Sequence, residues 1–238
     1  MTTSRKVVAE ALGTALLLVA VVGSGIMGDR LAGGNVAIAL LANAIATGAA
    51  LIVLILTFGP ISGAHFNPVV TVADASQGGI PWRLVPGYCM AQLVGGAAGV
   101  LSAHLMFELP LLQTSTRVRA GAAQAFSEFI ATFGLLSVIW GCGRRRADAV
   151  PFAVGLYITG AYWFTASTSF ANPAVTLARA LTDTFAGIRP ADVPAFIAAQ
   201  AAGAVAATVL FAWLLPPLSK QATDVVVPHR KSDTVSTG

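Results

Sequence analysis

The stretch SGAHFNPVVT at residues 62–71 returns, altered but in the same order, as STSFANPAVT at 167–176. Each copy carries one Asn-Pro pair, Asn67-Pro68 and Asn172-Pro173, in semi-apolar surroundings. Asparagine is among the best N-cap residues, and proline is favoured at the first helical position, where its missing N–H costs nothing. Each pair therefore predicts the start of a helix. The helix that follows is short. Residues 67–77 and 172–182 allow about ten helical residues each, roughly 15 Å at 1.5 Å per residue, which is half the hydrocarbon thickness of a bilayer.

The rest of the chain gives a bilayer reason to be there. Of 238 residues, 56% are hydrophobic and only 10% are charged, against about 25% charged in an ordinary soluble domain. So little charge does not solvate a globule of this size, which argues against a cytosolic enzyme, and so much apolar surface argues against disorder. Six apolar stretches reach or approach the length of a membrane span, at about 7–28, 36–58, 84–107, 124–141, 150–168 and 193–215. The first follows Arg5-Lys6 but is too long for a signal-peptide core and lacks a small-residue cleavage pattern, so it reads as an uncleaved span. The net charge of +4 fits the cytoplasmic excess of Lys and Arg in membrane proteins better than a nucleic-acid partner. With both termini cytoplasmic, nine basic residues fall inside, among them Arg144, Arg145 and Arg146, and five fall outside. The polar tail 220–238 is expected to be a disordered cytoplasmic extension.

The echo at 62–71 belongs to a longer duplication. Glu10 in AEALGTALLLV is matched by Glu128 in SEFIATFGLLSV, and AQLVGGAAGV at 91–100 by AQAAGAVAAT at 199–208. Residue 10 recurs at 128, 67 at 172 and 92 at 200, offsets of 118, 105 and 108. With three spans in each half, about 1–109 and 110–219, the halves must insert in opposite orientations. That is the inverted repeat of channels and transporters. The predicted fold is an all-α integral membrane protein, six transmembrane helices plus two re-entrant half-helices, in a single channel domain over 1–219.

Inversion brings the two half-helix starts together at the midplane, one entering from each side. Each Asn spends its carboxamide oxygen on its own helix, leaving the NH₂ groups of Asn67 and Asn172 facing the gap between two positive helix ends. A cation is repelled there, whereas a water or hydroxyl oxygen is accepted. The residues just before each Asn (Ala64, His65 and Phe66; Ser169, Phe170 and Ala171) offer backbone carbonyls, tolerated at that depth only beside a wet cavity.

The pairs Asn67-Pro68-Val69 and Asn172-Pro173-Ala174, with SGAHFNPVVT, Glu10, Glu128, Gln92 and Gln200, resemble the aquaporin and aquaglyceroporin (major intrinsic protein) family over residues 6–215. The resemblance implies a homotetramer in the cell membrane, one pore per subunit, and passive conduction of water or small neutral solutes without a cofactor. Family members narrow the pore outside its centre with four residues, one of them an Arg three positions after the second Asn. Here that position is Val175, and the Asp that glycerol channels carry next is Thr176. Counting from the motifs gives Thr47 and Ser169 for two other ring positions. The fourth is Gly160 by ungapped counting, which we prefer, or Tyr162 by aligning on Gly155-Leu156. A wide ring of Thr47, Gly160, Ser169 and Val175 resembles the aquaglyceroporins of bacterial arsenic-resistance operons. It implies passage of glycerol-size polyols and arsenite-type acids, with weaker exclusion of ions than an Arg-bearing pore. Arg179 lies four residues beyond Val175, about 6 Å further outward on the same face. It either restores a positive mouth or, the preferred reading, reaches the headgroups or satisfies a loop.

Glu10 and Glu128 are intramembrane acids, which are functional candidates by default. They allow a rival reading, a proton-coupled secondary transporter. Their matched places in the repeat favour a structural role, accepting N–H groups from the irregular loops. His65 is read as loop packing, His104 as interfacial, and Trp82, Trp140, Trp163 and Trp213 as an aromatic belt. Cys89 and Cys142 suggest neither a disulfide nor a metal site, and no catalytic constellation is apparent.

Overall fold

The computed structural model describes residues 1–215, so the tail expected at 220–238 lies outside the described residues. Among the described residues, eight α-helices follow one another: α1 (Thr3–Leu31), α2 (Val36–Ser62), α3 (Pro68–Ser76), α4 (Val85–Met106), α5 (Ala122–Gly143), α6 (Val150–Phe164), α7 (Pro173–Arg179) and α8 (Val193–Leu214). No strand occurs among the described residues. The chain is an all-helical membrane protein. Helices α3 and α7 are the two short ones, nine and seven residues long, or about 14 and 11 Å. Each starts at the proline of its Asn-Pro pair.

Helices α1, α2, α4, α5 and α8 are long and apolar enough to cross a membrane. Helix α6 is not. The sequence suggested a span over 150–168, but the helix stops at Phe164 after fifteen residues. Thr165 turns extended there and ties its hydroxyl to the Ala161 carbonyl at 2.6 Å, because the chain must begin the loop that leads to Asn172. On α1, Val8, Leu12 and Leu16 are exposed at helical spacing while Leu17, Leu18, Val21 and Val22 are buried. An apolar side chain facing outward is the normal state when the surroundings are lipid.

Packing follows the repeat. Helix α1 lies against α4, α5 against α8, and α2 crosses α6 between the halves. Small residues allow the backbones to touch, as is common where lipid removes the usual hydrophobic drive for helix association. A Cβ on Gly95 or Gly99 of α4 would collide with the Ala11 or Ala15 carbonyl of α1, and one on Gly203 of α8 with the Phe129 carbonyl of α5. Gly95 and Gly203 are counterparts at the same offset of 108 as Gln92 and Gln200. The duplicated sequence thus builds a duplicated helix contact.

Candidate functional site

The loop before each half-helix takes the same unusual path. Ala64 and Phe66 have φ of 51° and 50°, and their counterparts Ser169 and Ala171 have 48° and 49°. Left-handed backbone at a non-glycine residue costs on the order of 1 kcal/mol or more and needs local support. The support comes from the buried carboxylates. Glu10 accepts the His65 N–H at 3.0 Å, the Phe66 N–H at 2.7 Å, the Ser62 hydroxyl at 2.6 Å and the Gln92 amide at 2.8 Å. Glu128 accepts the Phe170 N–H at 2.9 Å, the Ala171 N–H at 2.8 Å and the Gln200 amide at 2.6 Å. Both glutamates are wholly buried. The same glutamine amides also reach Thr71 and Thr176, each at 2.9 Å, which locks each loop to the first turn of the half-helix it feeds.

The two asparagines cap their helices. The Asn67 side-chain oxygen accepts from Val69 N–H at 3.1 Å, and that of Asn172 from Ala174 N–H at 2.9 Å and Val175 N–H at 3.3 Å. Their amide groups are less free than the sequence suggested. Asn67 donates to the Ala171 carbonyl at 2.8 Å, and Asn172 to the Phe66 carbonyl at 2.7 Å. Each NH₂ therefore uses one hydrogen to bind the opposite loop, and two of the carbonyls expected to face the gap are spent in return. One N–H remains on each side chain. These reciprocal bonds join the tips of the half-helices.

Beside the joined tips runs a narrow cavity, lined by Asn67 and Asn172 with Ala64, His65, Phe66, Ser169, Phe170 and Ala171. An aliphatic wall that includes Leu17, Val21, Ile55, Leu135 and Val154 contributes the rest of the lining. About 60 Å³ inside it is open to the centre of a water molecule, against roughly 10–15 Å³ for a single water. A short file of waters fits. The same cavity is also lined by Thr47, Tyr162, Val175 and Arg179, with the Thr47 and Tyr162 hydroxyls 3.3 Å apart.

The model of the family described as major intrinsic protein matches residues 1–159 and 143–237. Aquaglyceroporin AqpS of Rhizobium meliloti (strain 1021) is 56% identical over 214 residues, covering 90% of this chain and 91% of that protein. This chain belongs to the major intrinsic protein family. Aquaporin NIP6-1 of Arabidopsis thaliana is 34% identical over 155 residues, 63% of this chain and 50% of that protein. The X-ray structure of the aquaglyceroporin from Plasmodium falciparum superposes with a TM-score of 0.68 at 23% identity, covering 90% of this chain and 95% of that one, a likeness of fold. A major intrinsic protein of this kind is a membrane channel for small solutes and not an enzyme.

Several residues of this family member stand elsewhere than the sequence suggested. Gly160 is exposed on the outer face of α6 and does not line the cavity. Val150, Val154, Ile158 and Tyr162 recur every four residues and all point inward. Two residues beyond Ile158 is about 200° around the helix, so Gly160 faces away and Tyr162 takes the inward place. Arg179 is 1% exposed. It donates through Nε to the Ala186 carbonyl, yet it also lines the cavity, so it satisfies a loop without reaching the headgroups. His104 is buried rather than interfacial, bonded to Leu111 O at 2.9 Å and Thr182 Oγ1 at 2.8 Å. Trp140 is buried too, 3.3 Å from Thr208 Oγ1, whereas Trp82, Trp163 and Trp213 are exposed. The i, i+4 series ending at Tyr162 was the available signal for which of the two counted alternatives, Gly160 or Tyr162, faces the cavity.

Proposed function

We propose that the cavity conducts water and small uncharged solutes passively, glycerol-size polyols and arsenite-type acids among them. The observation that carries this reading is the pair of capped half-helix tips, cross-bonded at Asn67 and Asn172, with an open path alongside. The lining supports a solute with carbon on one side and hydroxyls on the other. Aliphatic side chains from α1, α2, α5 and α6 form one wall, and the residual N–H groups of the two asparagines with His65 and Ser169 contribute polar points to the other. The relative named an aquaglyceroporin, 56% identical over nine-tenths of this chain, supports the polyol class. Thr47, Tyr162, Ser169 and Val175 form the selectivity ring of this reading. Tyr162 in place of Gly160 makes the ring narrower than counting implied.

The working unit is a homotetramer in the cell membrane, with both termini cytoplasmic. The family supports the assembly, and the nine-to-five distribution of basic residues supports the orientation. Proton coupling through Glu10 or Glu128 finds little room. Each carboxylate already accepts three or four hydrogen bonds from groups that hold the loops in place, and protonation would remove an acceptor from them.

Purified protein in liposomes tests the reading by light scattering and tracer uptake. Water and glycerol gradients are expected to dissipate faster than in empty vesicles, and arsenous acid to equilibrate to its external concentration. The same end point is expected with or without an imposed pH gradient. Accumulation above the external level under a pH gradient, or no osmotic response at all, would sink it.

A further inference from the structure

Val175 leaves the outer end of the cavity without the family's arginine, which by itself implies a pore poorly defended against cations. The structure places another arginine there. Arg179 stands one helical turn beyond Val175 on α7, almost fully buried, and lines the same cavity. Its guanidinium carbon lies 3.4 Å from the centroid of the Phe170 ring, a cation–π stack that fixes the plane of the group. Nε is tied to the Ala186 carbonyl, while Nη1 is buried with no hydrogen-bond partner. A buried, unpaired guanidinium N–H is costly unless something visits it. Arg179 borders the cavity, so this unpaired donor lies beside the path of a passing molecule.

The neighbouring Arg119 does not share this position. It lies 5.0 Å from the same ring. However, its Nε bonds Gly187 O at 2.8 Å and its Nη1 bonds Ser167 O at 3.1 Å, and it does not line the cavity. The repeat sharpens the contrast. At the offset of 105 that relates Asn67 to Asn172, Arg179 is the counterpart of Asp74 and Phe170 the counterpart of His65. Asp74 is buried beside His65, Oδ2 to Nε2 at 3.5 Å, and is not part of the cavity wall. At matching positions, one half therefore carries a carboxylate outside the cavity lining, and the other a guanidinium within it.

We propose that Arg179 is the specificity-determining residue at the outer end of the pore. Stacked on Phe170 one turn above Val175, it presents a fixed positive charge and unpaired N–H donors to the path. Cations are turned back there, and neutral solutes are admitted by donating to their oxygens. The proposal rests on the channel reading above and removes its expectation of weak ion exclusion. A fixed charge at the mouth of a narrow pore is a sufficient barrier because the passing ion is partly stripped of water at close range.

The test compares the parent protein with Arg179→Gln, Arg179→Lys and Arg117→Gln in liposomes, reading water permeability and methylammonium influx in the same vesicles. The parent is expected to conduct water and exclude methylammonium. Arg179→Gln keeps both half-helices and both asparagines but removes the charge and donors assigned to the path, so its methylammonium influx is read relative to its own water permeability, and that ratio should rise at least about tenfold, the scale expected from removing a unit charge at close range in a partly wet site. Arg179→Lys should stay tight. Arg117→Gln removes an exposed outer charge and should also stay tight. If Arg179→Gln yields no water-conducting protein, Arg179→Lys carries the test, and a methylammonium leak there overturns the proposal. It is equally overturned if the parent leaks, if Arg179→Gln is as tight as the parent, or if Arg117→Gln leaks as much. A parent that conducts no water defeats the channel reading itself, which is a separable result.

Discussion

Single side chains set the energetics of this pore. Glu128 sits in an apolar span only because three donors converge on it, and those donors belong to the left-handed loop that presents Asn172. Glu128→Gln keeps the shape but replaces one carboxylate oxygen with an NH₂ that faces N–H groups. Hydrogen bonds to a charged group contribute about 1.5–3 kcal/mol each, and a buried donor left unpaired costs about as much, so a loss of about 3 kcal/mol is expected. Denaturant unfolding in detergent measures it. A change below about 0.5 kcal/mol, the usual range for an inert surface site, would deny the glutamate its structural part. The sequence made Glu10 and Glu128 legible because both halves repeat them at matching places. It did not make Arg179 legible, since a position along the chain does not say whether a long side chain runs out to lipid or folds back over Phe170.

Helices meet where the side chains vanish. A methyl on Gly95 points into the Ala11 carbonyl, so Gly95→Ala must push α4 from α1. A loss of about 1–3 kcal/mol is expected, the usual scale of overpacking. Gly160 provides the opposite case within the same protein. A Cβ there meets only the Phe164 ring, at 3.7 and 3.9 Å, which is ordinary contact. Gly160→Ala should leave water and glycerol permeability unchanged and raise stability slightly, because glycine costs a helix up to about 1 kcal/mol relative to alanine. A clear fall in permeability would return Gly160 to the pore wall and unseat Tyr162. The end of α6 belongs to this scale as well. The expected span was carried on to 168 through the small residues Thr165, Ala166, Ser167 and Thr168, because run length is blind to the point where the backbone must leave the helix to form a re-entrant loop.

At the scale of the molecule, the connection between the halves is stitched to the loop beyond α7. Ser115 N–H donates to Ala180 O at 3.0 Å, and Arg189 N–H to Arg117 O at 2.7 Å. Asp183 accepts both the N–H and the hydroxyl of Thr116 on one oxygen, at 2.8 and 3.0 Å. The Thr116 N–H, then its hydroxyl, hold the Asp183 carboxyl below the ordinary carboxylate value, with a smaller push from the Arg117 charge. A carboxylate lowered on folding stabilises above its ordinary pKa and loses that contribution as pH falls through the lowered value. Lowering the pH from neutral to below about 4, the ordinary range for Asp, should therefore lower the protection factor of the Thr116 amide, taken against its intrinsic exchange rate at each pH, while the α1 to α4 core stays protected. An unchanged protection factor at Thr116 would show that the stitch does not depend on this carboxylate.

The sequence by itself determined the membrane setting, the duplication, its inversion and the two half-helix starts. Each follows from local or periodic properties: apolar run length, an odd number of spans per half, and the capping chemistry of Asn-Pro. The tertiary structure alone decided what each side chain faces. Only there does Tyr162 turn inward and Gly160 outward, do the two asparagines donate to each other's loops, and does Arg179 come to rest on Phe170 beside the path. Such contacts join residues from different halves, or from a helix and the loop beyond it, and one-dimensional spacing carries no record of how those segments are rotated against each other.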